Sequence, residues 1–468
     1  MRNLQILTAW LLGVFGAAAC TIESDVARSD GSGSGGTSSS EGTGGLNSSG
    51  GSGETTGGTA GASNADVAIE RSDLPAITTP DINDADYAAF IGDTNGFGLE
   101  LGQRLAERDG TAANNGVFSP VSVSLALGMT YAGAAGDTLA AMKATLRDNL
   151  ASGRYHVAHN RLLRDLGSRA YSGTDGMGNA LRLELSPANS VWAERTVVLG
   201  KPFLDVLGQQ YDSGVMRVSF LDQAEAARLA INGWVAARTH DRIQDLLLPA
   251  DVTPATRIVL VNALYFYGSW LTLFDATLTR PAVFHTLAGS DVEVPTMRQS
   301  MSREYKATAS LEVLKLPYVQ GKLWMTLVLP KAGEFAATRT QISGPWLSDI
   351  TSGMTATDVT LSLPKFKLET AQLKLKDPLT DMGMGIAFSG QADFSGITPA
   401  PLSIGEVIQK AFIGVDEAGT EAAAATAVTM PGANPTPTPF VVDRPFLFFV
   451  QDATGLVLFS GQVVDPTQ

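Results

Sequence analysis

Apolar and polar positions change rhythm along this chain. Ser119 and Pro120 suit a helix cap and first helical position, and Val121, Leu125, Met129 and Ala132 then recur at helical spacing. In QAEAARLAINGWVAARTHDRIQDLL the apolar Ala227, Ile231, Trp234 and Val235 fall on one face, which predicts a second amphipathic helix. From about Ile258 short apolar runs take over. RIVLVNALYF, LWMTLVLP and VTLSLPKFKL read as strands, and PFLFFVQDATGLVLFSGQVV reads as a hairpin turning at Asp452 to Gly455. Helices early and strands late predict an α+β fold, with the folded part starting near Asp84 and running to residue 468.

The first 83 residues follow a different pattern. MRNLQILTAWLLGVFGAAAC joins Arg2 to an apolar run from about Leu4 to Phe15, too short to span a bilayer comfortably. Residues 1–19 read as a secretory signal. The stretch also resembles a bacterial lipoprotein signal, in which Cys20 would become the acylated first residue. Those signals usually carry leucine where Ala17 stands, and the competing reading is ordinary cleavage after Ala-x-Ala, leaving a free thiol. Either reading exports the protein. Between Arg28 and Ala62 glycine, serine and threonine dominate, so residues 20–83 are expected to form a flexible tether behind Cys20. Its mean reach would be roughly 35 Å.

Charge and cysteine use narrow the function classes. With 33 basic and 47 acidic residues the net charge is −14, which disfavours nucleic acid and anionic headgroups as partners. Cys20 is the only cysteine, so no intramolecular disulfide can form. No GxSxG, P-loop, HExxH, GxGxxG or CxxC pattern occurs in the folded part. His156 and His159 could share one helix face, but no acidic or cysteine ligand lies beside them, so no metal or other cofactor is expected.

One stretch fits neither helix nor strand: VDEAGTEAAAATAVTMPGANPTPTPF, Val415 to Phe440. Its small side chains have little to bury, so a long exposed loop is expected. KAFIGVDEAGTEAAAATAV is very similar to the hinge before the reactive loop of serpins, the serine-protease-inhibitor superfamily. NGVFSPVSVSLALGMTYAGAAGDTLAAM, RIVLVNALYFYGSWLTLFD, VLKLPY, LSLPKFKLET and RPFLFFVQDATGLVLFSGQVVDP resemble further serpin segments in the same order, over about Asp84 to Pro466.

The resemblance implies three β-sheets with about nine helices and an exposed reactive-centre loop that inserts into the central sheet after attack by a protease. That makes the protein an extracytoplasmic suicide inhibitor rather than an enzyme. Its partner would be a target serine protease held as a covalent acyl complex; the protein would be monomeric and membrane-bound only through an N-terminal lipid. The alternative is a non-inhibitory serpin acting as a binding or chaperone module.

Residue roles follow from the same resemblance. The hinge and inserting loop would comprise Glu417, Gly419, Thr420, Glu421, Ala422, Ala423, Ala424, Ala425 and Thr426. Strand alternation puts Thr420, Ala422, Ala424, Thr426 and Val428 on the inner face, all small or uncharged. Trp270 and Phe274 match the point where the loop first enters. Ser119, Ser122 and Asn262 match a polar cluster under the opening strands, with Gln409 where the family usually has histidine. Family spacing puts the attacked bond at Ala433–Asn434, and the prolines at 431, 435, 437 and 439 disqualify neighbouring bonds. Alanine suits the shallow pocket of elastase-like enzymes and is compatible with subtilisin-like ones.

Overall fold

The computed structural model describes residues 65–108, 113–420 and 436–468. The signal and lipid-site readings at residues 1–20, the tether proper at 28–62, and Glu421, Ala422, Ala423, Ala424, Ala425, Thr426, Ala433 and Asn434 lie outside the described residues.

One large sheet runs in the order β1 (Ala68–Glu70), β5 (Val215–Val218), β4 (Ala180–Glu194), β6 (Ile258–Ser269), β15 (Gly419–Thr420), β14 (Val407–Val415) and β12 (Phe366–Glu369). β3 (Tyr171–Thr174) pairs with β4, and β13 (Leu373–Lys374) with β14. The second sheet runs β16 (Thr438–Val441), β11 (Thr355–Pro364), β8 (Asp291–Ala307), β9 (Leu311–Pro317), β10 (Leu323–Pro330), β17 (Phe446–Asp452), β18 (Val457–Val463) and β2 (Gly116–Phe118), with β7 (Arg280–His285) beside β8. It combines the strands expected of two smaller sheets, because the 17-residue β8 pairs with β7 and β11 along most of its length and with β9 at its end.

The helices among the described residues are α1 (Asp84–Arg108), α2 (Pro120–Tyr131), α3 (Gly136–Thr145), α4 (Arg154–Gly167), α5 (Lys201–Tyr211), α6 (Phe220–Arg238), α7 (Phe335–Arg339), α8 (Gly344–Thr351) and α9 (Lys376–Leu379). The Ser119 side chain caps α2 by accepting from Ser122 N, and Pro120 occupies the first turn. All twelve residues of α2 are buried, not one face of it, because the helix packs against β4, β6 and β18 together. α6 stops at Arg238, short of the expected segment. Thr239 Oγ1 donates back to Val235 O at 2.9 Å, and His240 and Asp241 adopt left-handed backbone, which ends the helix. VTLSLPKFKL splits at Lys365 into β11 and β12, one in each sheet.

The large sheet buries both faces. On β6, Leu260 and Leu264 join the main core, while the alternate Val261 and Ala263 pack against α6 with Ile231 and Val235. β14 repeats this division, with Val407 and Ala411 on one side and Ile408 and Phe412 on the other. A strand covered on both faces needs a nearly continuous apolar run, which RIVLVNALYF supplies apart from Asn262. The same period of two places Asn262 and Gln409 on the face covered by α2.

Packing begins before Asp84. β1 pairs antiparallel with β5 (Ala68↔Arg217 to Glu70↔Val215) and extends the large sheet at its edge.

Candidate functional site

β6 and β14 lie side by side but do not connect in sequence. They pair parallel from Val407↔Leu260 to Ala411↔Leu264. At the far end of β6 a different partner lies between them. Asp416 to Gly419 form a turn, with Asp416 Oδ1 accepting from Ala418 N (2.9 Å) and Gly419 N (3.3 Å). The turn sends Gly419 and Thr420 back as β15, antiparallel both to β6 (Gly419↔Ser269, Thr420↔Gly268) and to β14 (Val415↔Thr420). The head of the small-residue loop is therefore already a strand in the middle of the large sheet.

Several buried groups hold this short strand. Thr420 has no exposed surface, and its hydroxyl lies 2.7 Å from Tyr318 OH. Tyr318 is fully buried and stacks on Trp270 with centroids 4.6 Å apart. Burial pushes the Tyr318 phenol pKa up, so it stays a neutral hydrogen-bonding group. Trp270 N donates to Ala418 O at 3.0 Å, and its Nε1 donates to Asp416 O at 2.9 Å. Phe274 N donates to Glu417 O at 2.8 Å. Gly419 passes so close to β6 that an added Cβ would strike the carbonyl of Gly268, so no larger residue fits the seated turn. Burial acts to raise the Glu417 pKa, but bonds from Lys365 Nζ (2.7 Å) and Thr279 Oγ1 (2.8 Å) outweigh it and hold the carboxyl below its ordinary value.

The seam below is bridged by polar side chains. Gln409 Nε2 donates to Asn262 Oδ1 (2.9 Å) on β6 and to Ser119 O (3.0 Å) at the start of α2; its Oε1 accepts from Ser119 N at 3.3 Å. Ser122 Oγ donates to Asn262 Oδ1 at 3.0 Å. The structure thus brings Ser119, Ser122, Asn262 and Gln409 into one buried cluster spanning the two strands, and Trp270, Phe274, Glu417, Gly419 and Thr420 into another at the end of β6. Gln409→Leu removes the bridge while leaving Ser119 O and N buried. It is expected to destabilise the closed sheet by about 2–4 kcal/mol. Thermal unfolding checks this, and Gln409→His should recover part of the loss because a ring nitrogen can still donate.

Sequence reasoning missed Tyr318, Thr279 and Lys365, which pair with the hinge across long sequence separations. It also missed Asn189, which accepts from Ser122 Oγ at 3.2 Å. The VLKLPY motif contained Tyr318, but only the fold shows its hydroxyl aimed at Thr420.

His156 and His159 occupy a separate interior cluster. His159 Nε2 contacts Ser124 Oγ at 3.2 Å, and His156 Nδ1 contacts Tyr211 OH at 2.9 Å. No group of three or more potential metal ligands exists among the described residues. Burial pushes the His159 pKa down to about 3, with the neighbouring His156 adding to the shift. Between its ordinary 6.5 and that value, protons bind the unfolded chain in preference. Stability from this site is complete above pH 6.5 and is lost as pH falls, by about 3 kcal/mol at pH 4.5. His159→Gln should flatten the pH dependence of the melting temperature over that interval.

The comparisons agree with this geometry. The family model described as Serpin (serine protease inhibitor) matches residues 93–466, and the chain belongs to that family. An uncharacterized serpin-like protein of Thermococcus kodakarensis is 36% identical over 406 residues, covering 84% of this chain and 90% of the relative. Iris of Ixodes ricinus is also 36% identical, over 376 residues, covering 78% of this chain and 96% of Iris. The native-state crystal structure of the thermophilic serpin tengpin superposes with a TM-score of 0.72 at 27% identity, covering 84% of this chain and 97% of tengpin. Membership carries the general character of a protease inhibitor rather than an enzyme.

Proposed function

We propose that this protein is an exported suicide inhibitor of serine proteases that traps the acyl-enzyme by drawing its cleaved loop into the large sheet. The observation that carries this reading is β15, two residues of the loop's head seated between β6 and β14. After a cut further along the loop, the strand would lengthen in the direction already begun. Each added residue exchanges parallel β6–β14 contact for antiparallel pairing on both sides, the slightly more stable ladder. Some 15–20 new bonds at 0.5–1.5 kcal/mol would stabilise the inserted form by roughly 10–25 kcal/mol. Ala422, Ala424 and Thr426, on the inner register, have side chains small enough to follow Thr420 inward.

Ala433–Asn434 is the proposed attacked bond, and elastase-like or subtilisin-like enzymes are the proposed targets. Incubation with an elastase followed by sequencing of the released C-terminal peptide tests the bond; a new N-terminus at Asn434 is expected, and one outside the 432–435 stretch would contradict it. For the anchor we propose acylation at Cys20, with residues 20–83 as stalk. The wild type should then partition with membranes and Cys20→Ala should be released, as fractionation would reveal.

A further inference from the structure

We propose that the β3–β4 hairpin is a second contact surface for the attacking protease, anchored by Met177. The proposal rests on reading the loop as bait, and its test separates the two. β3 pairs with β4 from Tyr171↔Leu183 to Thr174↔Ala180. β4 pairs with β6 at Leu183↔Gly268, and β6 pairs with β15 at Gly268↔Thr420. Tyr171, Leu183, Gly268 and Thr420 therefore form one row across four strands. From that row the hairpin runs outward past the end of β6, at the same end of the sheet as the 416–419 turn.

The hairpin apex stands beside the head of the loop. At about 4.8 Å between strands and 3.3 Å per residue, Met177 lies roughly 15–20 Å from Gly419. A globular protease of about 200–250 residues has a radius of gyration of about 18 Å, so its surface extends further than that from its centre. An enzyme gripping the loop beyond this end of the sheet reaches the hairpin as well.

The apex is built to hold one apolar side chain in water. Asp175 Oδ1 accepts from Met177 N and from Asn179 N, both at 2.8 Å, and its Oδ2 accepts from Asn179 Nδ2 at 2.8 Å. Asp175 N donates to Asn179 O at 2.9 Å, and Gly178 takes a left-handed φ of 87° that closes the turn. Met177 is 55% exposed, and of the described large apolar residues only Val198 is more so. A fixed turn carrying an adaptable thioether gives up little entropy on binding and fits more than one apolar surface. Ser172, Thr174 and Ala180 share the exposed face beside it and are small and neutral. The one charge on that face, Arg182, is paired with Glu184 and lies 5.2 Å over the Tyr267 ring. The surface that fits is therefore an apolar, uncharged part of the protease rim, and the contact is insensitive to salt.

The test uses the full chain against pancreatic elastase and subtilisin. Two variants are compared with wild type: Met177→Glu, and a shortened hairpin in which Asn-Gly replaces residues 175–179. Both are expected to have their loop cut about tenfold more slowly, at low and high salt alike. Met177→Leu should stay within about twofold of wild type. The moles of inhibitor consumed per mole of protease inactivated, and the melting temperature, should not move, because the hairpin acts before acylation. Rates within about twofold of wild type for both variants with both enzymes would overturn the contact. So would a slowed rate accompanied by altered partitioning or melting, which traces to the sheet, or wild-type dimers that Met177→Glu dissolves, which assign the surface to a second copy. Slower cutting of the variants with no SDS-resistant complex from any form would uphold the contact and remove the insertion reading alone. Failure of both enzymes to cut the wild-type loop would overturn both.

Discussion

Thr420→Arg is expected to convert this inhibitor into a substrate. The side chain at 420 is fully buried between β6 and β14, with its hydroxyl on Tyr318 OH. Arginine there would bring a long side chain and a charge into a site whose nearest polar group is a neutral phenol. The cost is about 3–5 kcal/mol unless the guanidinium escapes to water, which requires the hinge to leave the sheet. The proposed attacked bond, Ala433–Asn434, is thirteen residues further along the chain, so recognition and acylation should proceed at similar rates. Insertion would be slowed, and the acyl-enzyme would have time to hydrolyse. The yield of trapped protease should fall at least tenfold, with intact protease recovered and the loop cut (ΔΔG of 1.4 kcal/mol per tenfold in partitioning). Partitioning is measured as moles of inhibitor consumed per mole of protease inactivated. Thr429→Arg, on the outward register, should change that ratio far less.

The second large effect is expected at Trp270. Its ring is wholly buried, stacks on Tyr318 and donates one hydrogen bond, from Nε1 to Asp416 O, while its backbone N donates to Ala418 O. Trp270→Ala leaves a cavity under the hinge and strands the Asp416 carbonyl, which accepts from the indole Nε1. A loss of about 3–5 kcal/mol in the native form is expected. Trp270→Phe retains the stacked surface but not the Nε1 donor, and should lose about 1–3 kcal/mol. Chemical unfolding of the two variants separates packing from hydrogen bonding. Because Tyr318 positions the Thr420 hydroxyl, Trp270→Ala and Thr420→Val should be non-additive in a double-mutant cycle.

The structure explains why some of this was legible in the sequence and some was not. Ser119 and Pro120 announced α2 because a cap and an N-terminal proline act locally. Its full burial depends on three strands that meet it from elsewhere. The alternation of Leu181, Leu183 and Leu185 on β4 did not read as a strand, because Pro187 and Asn189 interrupt that face before Val191 resumes it. Asn189 faces the seam cluster, accepting from Ser122 Oγ, so the signal was broken by the site. β1 is three residues long within a polar stretch and owes its conformation to β5. The hinge was legible by resemblance and by side-chain size, whereas its holders Tyr318, Lys365 and Thr279 lie 52 to 138 positions away in sequence. Gln409 was picked out by resemblance alone, and its bonds to Ser119 and Asn262 required the parallel β6–β14 register.

The central claim is that a cut loop enters the large sheet and carries the protease with it. Incubating the protein with an elastase-like protease at equal molarity, followed by denaturing electrophoresis, tests it most directly. An SDS-resistant band at the summed mass of protease and inhibitor is expected, with protease activity lost in proportion. Complete cleavage of the loop with no such band, and with full protease activity remaining, would contradict it.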